Sequence, residues 1–600
     1  MMRFLPILML IIAGGCVSPS EVFHTTFMPE QRAIEYRENG PITTVTLPFS
    51  ASPRTVLEPK PGTPEWRLPL DDAIRLALDN SRVVRTLTGL SASASGKTIY
   101  DAAITNTTID QQQARFDPVL QQTNSVGRVD TPTSVFDTVN LGRSRIASTP
   151  TDTYQGTLGL SQTNTLGGQV GLNWLTTPTR IGGAGANVAS LNPQTPTSLE
   201  LSYTQPLLQG GGFRVNRAPI VIARINTEIS FFQYKDSVQE LVRGVTEAYW
   251  NLVQARIDAW ARKIQVDLSE VAHDREQARL KAGLADVKEV AQAKVTWSQF
   301  KAARVAADAS VMAREGVLRN IMGIPPTDDR VIVPVSAPTT ERLKIDWDNL
   351  VQLSESRRPD IIELKLILEA EQQRLIQAQN QALPQLNAVA SYRWNGLTGT
   401  MPNGDTLTSP HGAHNDWSLG INFSVPLGLR LGRAQVRQER LLIERDRANL
   451  HQGLHNAIHE LTLTVRNLDN AYAQYEAYKE VRAAAEVNVK VQSEKFKAGQ
   501  SIYLNVLQAF NDWGNAITSE AQTLLQYNIA LATLERQTGT ILETHGLVFA
   551  EERMRFAGPL LHGRDYPAAT IPLGQPTRHP TTGEPSENVF NLRDPVPRTK

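Results

Sequence analysis

The chain has 600 residues and no net charge, because 60 basic side chains balance 60 acidic ones, and its aromatic content is only 6%. Nucleic-acid binding requires a basic surface, so this balance argues against a nucleic-acid partner. After the N-terminus, no apolar run approaches the roughly eighteen residues that a membrane-spanning helix needs. The length by itself suggests several domains.

The N-terminal stretch MMRFLPILMLIIAGGC has the form of a secretory signal peptide, with one Arg, an apolar run over residues 4–13 and small residues after it. Its last four residues resemble a bacterial lipobox and end at Cys16, the only cysteine of the chain. We therefore expect a signal peptide over residues 1–15 and a lipid on Cys16. An incidental cysteine in an uncleaved or differently cleaved leader is the alternative.

The two ends of the chain differ in composition from its centre. Residues 16–68 are rich in Pro, Ser and Thr and predict an extended, lipidated linker. The Pro-rich tail 544–600 predicts a segment that is disordered or lies on a surface. Between them the sequence predicts a two-fold repeat, residues 69–323 and 346–543, joined by a linker over residues 324–345.

Each repeat begins with an amphipathic helical pattern, at residues 69–85 in the first and 346–371 in the second. Very long helices are predicted later in each repeat, since no proline occurs over residues 221–324 or 427–558. Their apolar residues recur at steps of three and four, which is coiled-coil spacing and calls for partner helices. A continuous helix over residues 221–281 would extend roughly 90 Å, which is far more than a globular domain needs.

Between the helices lie strand patterns, at residues 199–204, 386–394 and 417–425, in which apolar and polar side chains alternate. This alternation is typical of a transmembrane β-barrel with a wet lumen, although a half-buried soluble sheet gives it too. About four such strands per chain cannot close a barrel, and an open edge in lipid leaves backbone groups unpaired. We therefore expect several chains to pool their strands. Residues 156–174 resemble an extra hairpin, which we expect to extend the first surface loop.

Two stretches, SYTQPLLQGGGFRVNRA and INFSVPLGLRLGRAQ, share one layout: alternating residues, Pro-Leu, glycines, an Arg and then a helical pattern. Three glycines before a helix could also hold a phosphate, but a phosphate loop has no reason to occur twice. The glycines instead allow the backbone to turn from a strand into a helix, and the prolines end the strand ladder. The predicted barrel–helix junction residues are Pro206, Gly210, Gly211, Gly212, Pro426, Gly428 and Gly432.

The ends of the long helices repeat as well. A KAG turn ends at Gly283 in the first repeat and at Gly499 in the second, 216 residues later, and Gly323 and Gly539 are separated by the same interval. Glycine suits the left-handed position just after a helix, and the lysine of each turn is favourable near the helix C-terminus. We therefore predict a helix end at each of these glycines.

In this order and two-fold arrangement, the motifs resemble the outer-membrane efflux factors, or TolC family. The residues that carry the resemblance, over about residues 69–543, are PLDDAIRLALDNS, SYTQPLLQGGGF, GVTEAYWNLVQA, LKAGLADV, NFSVPLGLRLG and FKAGQSIYLNVLQA. The resemblance implies an α+β membrane protein, a homotrimer in which each chain gives four strands to a twelve-stranded outer-membrane barrel above an α-helical periplasmic tunnel. It also implies a passive channel of a tripartite efflux or secretion system, whose partners are a periplasmic adaptor, an inner-membrane pump and outer-membrane lipid.

The resemblance further implies roles for residues near the KAG turns. The tips that would meet the adaptor are Gly283, Leu284, Gly499 and Gln500. In the family, acidic residues six and nine positions after the second tip glycine line a constriction, but this chain has amides there. The implied aperture residues are Glu289, Gln292, Asn505 and Gln508. A ring of Glu289 carboxylates would favour cations, while Glu289 could alternatively form a capping box with Asp286.

The sequence contains no motif that predicts an enzyme, a cofactor or a metal site. His451, His455 and His459 have a helical spacing that can bind a transition metal, but no Cys, Asp or Met cluster joins them, which favours a stripe facing solvent or the lumen. The alternative function is a periplasmic coiled-coil adaptor or a structural protein of the envelope. Such a protein has one helical hairpin and lacks strands midway between helix pairs.

Overall fold

A computed structural model describes residues 50–60, 62–136, 142–183, 189–547, 549 and 579–592. The predicted signal peptide and Cys16 lie outside the described residues. The described helices are α1 (Leu70–Asp79), α2 (Asp101–Gln113), α3 (Phe213–Lys281), α4 (Val287–Met322), α5 (Trp347–Arg357), α6 (Pro359–Gln381), α7 (Arg430–Lys497), α8 (Tyr503–Gln537) and α9 (Ile541–Thr544). Short 3-10 helices span Ala114–Phe116 and Ser586–Phe590.

The strands form one large sheet and three separate pairs. In chain order they are β1 (Glu65–Leu68), β2 (Val83–Thr88), β3 (Ser91–Thr98), β4 (Val119–Val129), β5 (Pro132–Phe136), β6 (Ser144–Ser148), β7 (Thr151–Thr163), β8 (Gln169–Thr176), β9 (Thr179–Ile181), β10 (Gln194–Pro206), β11 (Val331–Pro334), β12 (Gln385–Thr400), β13 (Thr406–Thr408) and β14 (His414–Ser424). The large sheet is antiparallel, with its long strands in the order β4–β7–β8–β10–β12–β14 and the short strands β9 and β13 at its margin. The pairs are β1–β11, β2–β3 and β5–β6.

The helices form a wall built around α3 and α7, which contain 69 and 68 residues and are therefore roughly 100 Å long. Close to the sheet the packed order is α2–α3–α6–α7, and farther away α4 and α8 replace α2 and α6. Each row thus contains four helices, and the two long helices belong to both rows. Within the described part of the chain, no helix combines the length and the apolar character needed to cross a bilayer.

The coiled-coil seam predicted for α3 is confirmed, and that of α7 is confirmed in part, because Ile458 on the predicted seam is 45% exposed. Val238, Leu241, Val245 and Leu252 of α3 are buried, and so are Leu461 and Leu468 of α7, in one core that α8 shares. Helix α3 begins at Phe213, eight residues before the predicted start, and includes Pro219. Pro219 lies within the first two turns of the helix, so it removes only one backbone N–H donor, close to the helix start.

The first amphipathic pattern forms a shorter helix than predicted. Its apolar face is buried, but α1 ends at Asp79, and the following residues pair as the hairpin β2–β3. Residues 83–88 contain β-branched side chains that favour strands over helices. Gly89, with a φ of 63°, makes the turn between the two strands. The helical interpretation of residues 83–85 was therefore wrong.

Both segments that the sequence assigns to linkers contribute a strand to the core. β1 pairs in parallel with β11, and Leu68, Ile332 and Val333 are buried there. Part of the tail packs beside them, because Thr582 donates its N–H to the carbonyl of Val335 at 3.2 Å. Phe590 is 3% exposed. Four-residue strands are too short for alternation to reveal them, and their partners lie more than 200 residues away.

The hairpin predicted to extend a surface loop is instead part of the large sheet. β7 and β8 lie between β4 and β10: β7 pairs with β4, and β8 pairs with β10. Within the described residues, the large sheet therefore has six long strands, two more than the sequence predicts. Gly167 and Gly168 lie in the turn of this hairpin. Alternation in a single strand cannot tell where in a sheet that strand is inserted.

Candidate functional site

The first junction from sheet to helix is held by two asparagine side chains. After Pro206 ends β10, Gly210 and Gly212 adopt φ angles of 82° and 107°, which side chains rarely tolerate. Asn380, at the end of α6, accepts the N–H of Gly210 at 2.7 Å. Buried Asn216 donates its amide to the carbonyls of Gly210 and Gly212, at 2.9 Å each. Neither asparagine could be predicted from the sequence, because the backbone groups that they bind come together only in the folded turn.

Gly211 has a different reason to be glycine. Its φ is not positive, but a Cβ on it would lie 2.5 Å from the carbonyl oxygen of Pro206. Close approach of two backbone segments, and not an unusual dihedral angle, therefore excludes a side chain at this position.

The second junction uses the same principles with fewer glycines. After β14 ends, the chain passes Pro426, and Gly428 and Leu429 adopt φ angles of 93° and 50°. Gly432 lies within the first turn of α7, where a Cβ would come within 2.6 Å of the Cα of Ala382. The predicted role of Gly432 in the turn is therefore replaced by close packing of α7 against the end of α6.

The two KAG turns adopt one backbone motif. At the first tip, Gly283 (φ 72°) donates its N–H to the carbonyl of Leu280, and Leu284 donates to that of Arg279. At the second, Gly499 (φ 74°) and Gln500 donate to the carbonyls of Phe496 and Lys495. This is the Schellman pattern, which satisfies the last carbonyls of a helix. The same two hydrogen bonds close α4 at Gly323 and α8 at Gly539.

The structure brings the two tips together at the end of the wall opposite the sheet. The guanidinium of Arg275 in α3 lies 4.5 Å from the ring centroid of Phe496 in the last turn of α7. Leu284 is 70% exposed, and Gln500 is exposed as well. Side chains at both tips are thus free to contact another molecule at one place.

The four predicted aperture residues all lie in the first turns after the tips and are exposed. Glu289 does not form the capping box considered above, because the side chain of Asp286 makes no capping hydrogen bond in α4. Asn505 donates to the hydroxyl of Ser501 at 3.3 Å. Gln508 donates to the carboxylate of Asp512 at 2.7 Å.

Asp512 is a residue that the sequence analysis missed. Apart from the first residues of α8, the exposed side chains of that helix form one stripe, composed of Asn505, Gln508, Asp512, Asn515, Gln522 and Gln526. Asp512 is the only ionisable member, and it lies roughly 10 Å along the helix from Asn505. The nearby cation Arg262 of α3 contacts Asn515 at 3.5 Å and pairs with Asp258 at 3.3 Å. The signal that could have found Asp512 is its spacing of four residues from Gln508.

The histidine stripe lies on α7 with its three side chains exposed, and the rings of His455 and His459 are 4.4 Å apart. Within the described ranges, no three His, Cys, Asp or Glu side chains are arranged to hold a metal ion.

Midway along the wall, buried arginines join the helices. Arg358, at the start of α6, contacts Asp360 at 2.8 Å and Glu460 of α7 at 3.0 Å. Burial alone would raise the pKa of Asp360, but the hydrogen bond and the charge of Arg358 outweigh burial and lower it. In the first repeat, buried Arg319 pairs with Glu315 of its own helix α4 and with Asp328 in the loop that follows.

Comparison with known proteins places these features in a family. The family model described as "Outer membrane efflux protein" matches residues 182–324 and 350–540, more than half of the chain. No curated protein sequence matches the chain.

Three solved structures share its fold. A membrane protein from Pseudomonas aeruginosa has a TM-score of 0.55 and 18% identity, covering 78% of this chain and 93% of that one. The Neisseria gonorrhoeae MtrE outer membrane channel has a TM-score of 0.53 and 16% identity, covering 79% and 89%. The Campylobacter jejuni CmeC outer membrane channel has a TM-score of 0.51 and 15% identity, covering 79% and 86%. At these identities the likeness concerns the fold.

Proposed function

The chain belongs to the outer membrane efflux protein family, and from this premise we propose how it assembles and conducts. As a member of that family it is a non-enzymatic efflux channel of the bacterial outer membrane that extends into the periplasm. The observation that supports the finer proposal is the position of the sheet and the tips at opposite ends of helices roughly 100 Å long.

The first part of the proposal is a homotrimer. Strands β4 and β14 are the outer long strands of the sheet, and all their residues are exposed in the single chain. An exposed edge in hydrocarbon leaves backbone N–H and C=O groups unpaired, which costs several kcal/mol per group. Pairing β14 of one chain with β4 of the next removes both edges and closes the barrel above a tunnel of helices.

The second part concerns the periplasmic end. Leu284 and Gln500 are both exposed in the Schellman turns at the end of the wall opposite the sheet, which fits contact with a periplasmic adaptor that links the channel to an inner-membrane pump. Glu289 and Asp512 of three chains would place carboxylates in a narrow aqueous passage, which attracts cations and resists anions. Substrates then move passively toward the exterior.

The third part is a lipid anchor on Cys16 after removal of residues 1–15. It is supported by the lipobox-like sequence. Cells grown with labelled palmitate should label the wild-type protein, and Cys16→Ser should remove the label while the channel still inserts. Equal labelling of wild type and Cys16→Ser would exclude this anchor.

Cross-linking in living cells tests the proposed orientation. Leu284→Cys and Gln500→Cys, treated with a short reagent that carries a maleimide for the cysteine thiol and a succinimidyl ester for a lysine amine, should each form an adduct with a periplasmic coiled-coil adaptor, identified by mass spectrometry. The matched control is Asn403→Cys, an exposed position in the turn between β12 and β13. Adducts with the adaptor from Asn403→Cys alone would show that the tips do not dock and that the orientation is reversed.

A further inference from the structure

The hairpin β7–β8 is integrated into the large sheet along its length. β7 pairs with β4 over all of Val119–Val129, and β8 pairs with β10 over residues 197–204. β7 and β8 pair with each other over residues 156–163 and 169–176. A strand that crosses hydrocarbon must pair its backbone N–H and C=O groups with neighbouring strands in this way. The backbone of a loop in water can instead form hydrogen bonds with water.

Its side chains continue the apolar face of the other strands. One row crosses all six long strands in register on this face; from β4 to β14 it consists of Leu120, Leu160, Leu172, Leu201, Tyr392 and Trp417. The two leucines of the hairpin, Leu160 and Leu172, are 44% and 41% exposed, and Leu201 of β10 is 44% exposed. The hairpin is therefore as apolar on this side as the strand beside it.

The opposite face continues in the same way with small and polar side chains. The next row in register consists of Val119, Ser161, Gly171, Ser202, Ser391 and Ser418. Two residues along from Gly171, on the same face, Asn173 of β8 lies opposite Glu200, which pairs with Arg393 at 2.7 Å. In these rows, the apolar face and the polar face of the sheet thus continue across both strands of the hairpin, as in a barrel with a polar lumen.

The hairpin is also fixed to the junction between sheet and helix. Its turn is closed by Asn164, whose side-chain oxygen accepts the N–H groups of Leu166 and Gly168 at 3.0 and 2.8 Å. The carbonyl of Leu166 accepts the N–H of Gly212 at 3.0 Å. A Cβ on Gly167 would lie 2.2 Å from the carbonyl oxygen of Gly210. The turn therefore sits at the end of the sheet next to the helices, and the hairpin spans the sheet from that end.

We propose that β7 and β8 cross the outer membrane, with Leu160 and Leu172 against lipid acyl chains, so that each chain contributes six strands to the barrel. The inference rests on the proposed trimer, which then closes about eighteen strands where four per chain would give twelve. Barrel diameter grows roughly in proportion to strand number, so the barrel is about 1.5 times as wide as a twelve-stranded one.

The width of the helical wall agrees with six strands. Strands spaced about 4.8 Å apart and tilted about 40° occupy roughly 6 Å each around a barrel, which gives roughly 38 Å for six and 25 Å for four. Four helices packed 8–10 Å apart occupy roughly 32–40 Å. Six strands per chain therefore match the arc of the helices below them, and four strands would be narrower.

Spin-label accessibility in the full-length channel tests this inference. Single cysteines in a Cys16→Ser background, Leu160→Cys and Leu172→Cys, are labelled with a nitroxide and reconstituted into phosphatidylethanolamine–phosphatidylglycerol vesicles. Leu201→Cys in β10 is the matched outward control. Ser161→Cys and Ser202→Cys are the corresponding inward pair.

The expected result is that labels at Leu160 and Leu172 lose collisions with a water-soluble nickel reagent to the level of the label at Leu201, and gain collisions with oxygen. The label at Ser161 should behave like that at Ser202 and remain accessible to nickel. If Leu201 is lipid-exposed while Leu160 and Leu172 remain accessible to nickel, the hairpin lies outside the membrane and the inference is wrong. If Leu201 is itself accessible to nickel, the proposed barrel fails instead.

Discussion

The two repeats of this chain agree closely at their helix ends and differ at their strands. All four long helices end in the same pair of hydrogen bonds around a glycine with φ of 71–74°. In contrast, β12 and β14 are direct neighbours, while β4 and β10 are separated by a complete inserted hairpin. These four helix ends share one backbone solution, because each uses a single left-handed glycine to satisfy the last carbonyls. A sheet can take in two further strands, because the outer strand of an added hairpin exposes the same backbone N–H and C=O groups as the strand that the hairpin covers.

Arginine on the apolar face of the inserted hairpin should have the largest effect. At the middle of a barrel strand, a charge facing lipid destabilises by about 2–4 kcal/mol. We expect Leu172→Arg to lower the free energy of unfolding of reconstituted channels by that amount, as measured in urea. Asn173→Arg, one residue further and beside Glu200 on the wet face, should change it by less than about 0.5 kcal/mol. Equal costs for the two variants would show that the two faces of β8 do not differ in environment.

Alanine at the helix-ending glycines should separate the two repeats. A side chain in the left-handed conformation costs about 1–2 kcal/mol at each position. A Cβ on Gly539 would also lie 2.6 Å from the backbone carbonyl oxygen of Arg357, whereas on Gly323 it meets only the movable end of Arg85. We expect Gly539→Ala to cost about 1–3 kcal/mol more than Gly323→Ala, because overpacking against backbone cannot relax. The tip variant Gly283→Ala is the control, since nothing lies within 4 Å of its Cβ. Three equal values, measured by chemical denaturation, would rule out the packing difference.

The Arg358 cluster should give the wall of the second repeat a pH dependence. The pKa of Asp360 is below its usual value of 3.8, so its ionised form stabilises the fold at neutral pH. This contribution is complete above pH 3.8 and is lost as the pH falls below that value through the lowered pKa. The side chain of Asp360 is 46% exposed, so solvent screening weakens the pair. We expect Asp360→Asn to cost about 0.5–1.5 kcal/mol at pH 7, with the difference disappearing in acid. A difference that persists unchanged at pH 2 would refute the role of the carboxylate. Asp348→Asn on the exposed start of α5 should show neither effect.

The smallest effect on stability and a specific effect on conduction are expected at the aperture. Glu289 makes no capping box with Asp286, so Glu289→Gln should leave the thermal midpoint unchanged. In planar-bilayer recordings it should reduce cation preference, as should Asp512→Asn, and the double variant should lose most of it. Asn505→Asp should strengthen the preference. Unchanged selectivity in the double variant, or a lowered midpoint with unchanged selectivity in Glu289→Gln, would remove these carboxylates from the aqueous passage.

The sequence predicts much of this fold because its signals are local. Coiled-coil seams such as Val238 and Leu241 follow from spacing, and the glycine at each helix end follows from one backbone requirement. Repetition strengthens both signals, since motifs that recur at the same interval indicate one structural unit present twice. The family and the fold class were therefore accessible before any coordinates.

What the sequence could not provide depends on contacts between distant residues. The pairing of β1 with β11 joins segments more than 250 residues apart, and alternation in β7 and β8 does not reveal their neighbours. Asn380 and Asn216 hold the junction through backbone groups that meet only in the folded chain. Asp512 lies beyond Asn505 and Gln508, the two positions of the second repeat that the family resemblance implies.

The most direct measurement is electron cryomicroscopy of the full-length protein in lipid nanodiscs, at a resolution that separates strands. The account predicts three chains around one continuous lumen, with the tips at one end and eighteen barrel strands at the other, six from each chain. A twelve-stranded barrel with residues 151–176 outside the bilayer would contradict the six-strand arrangement. A monomer or an unclosed sheet in the membrane would contradict the channel itself.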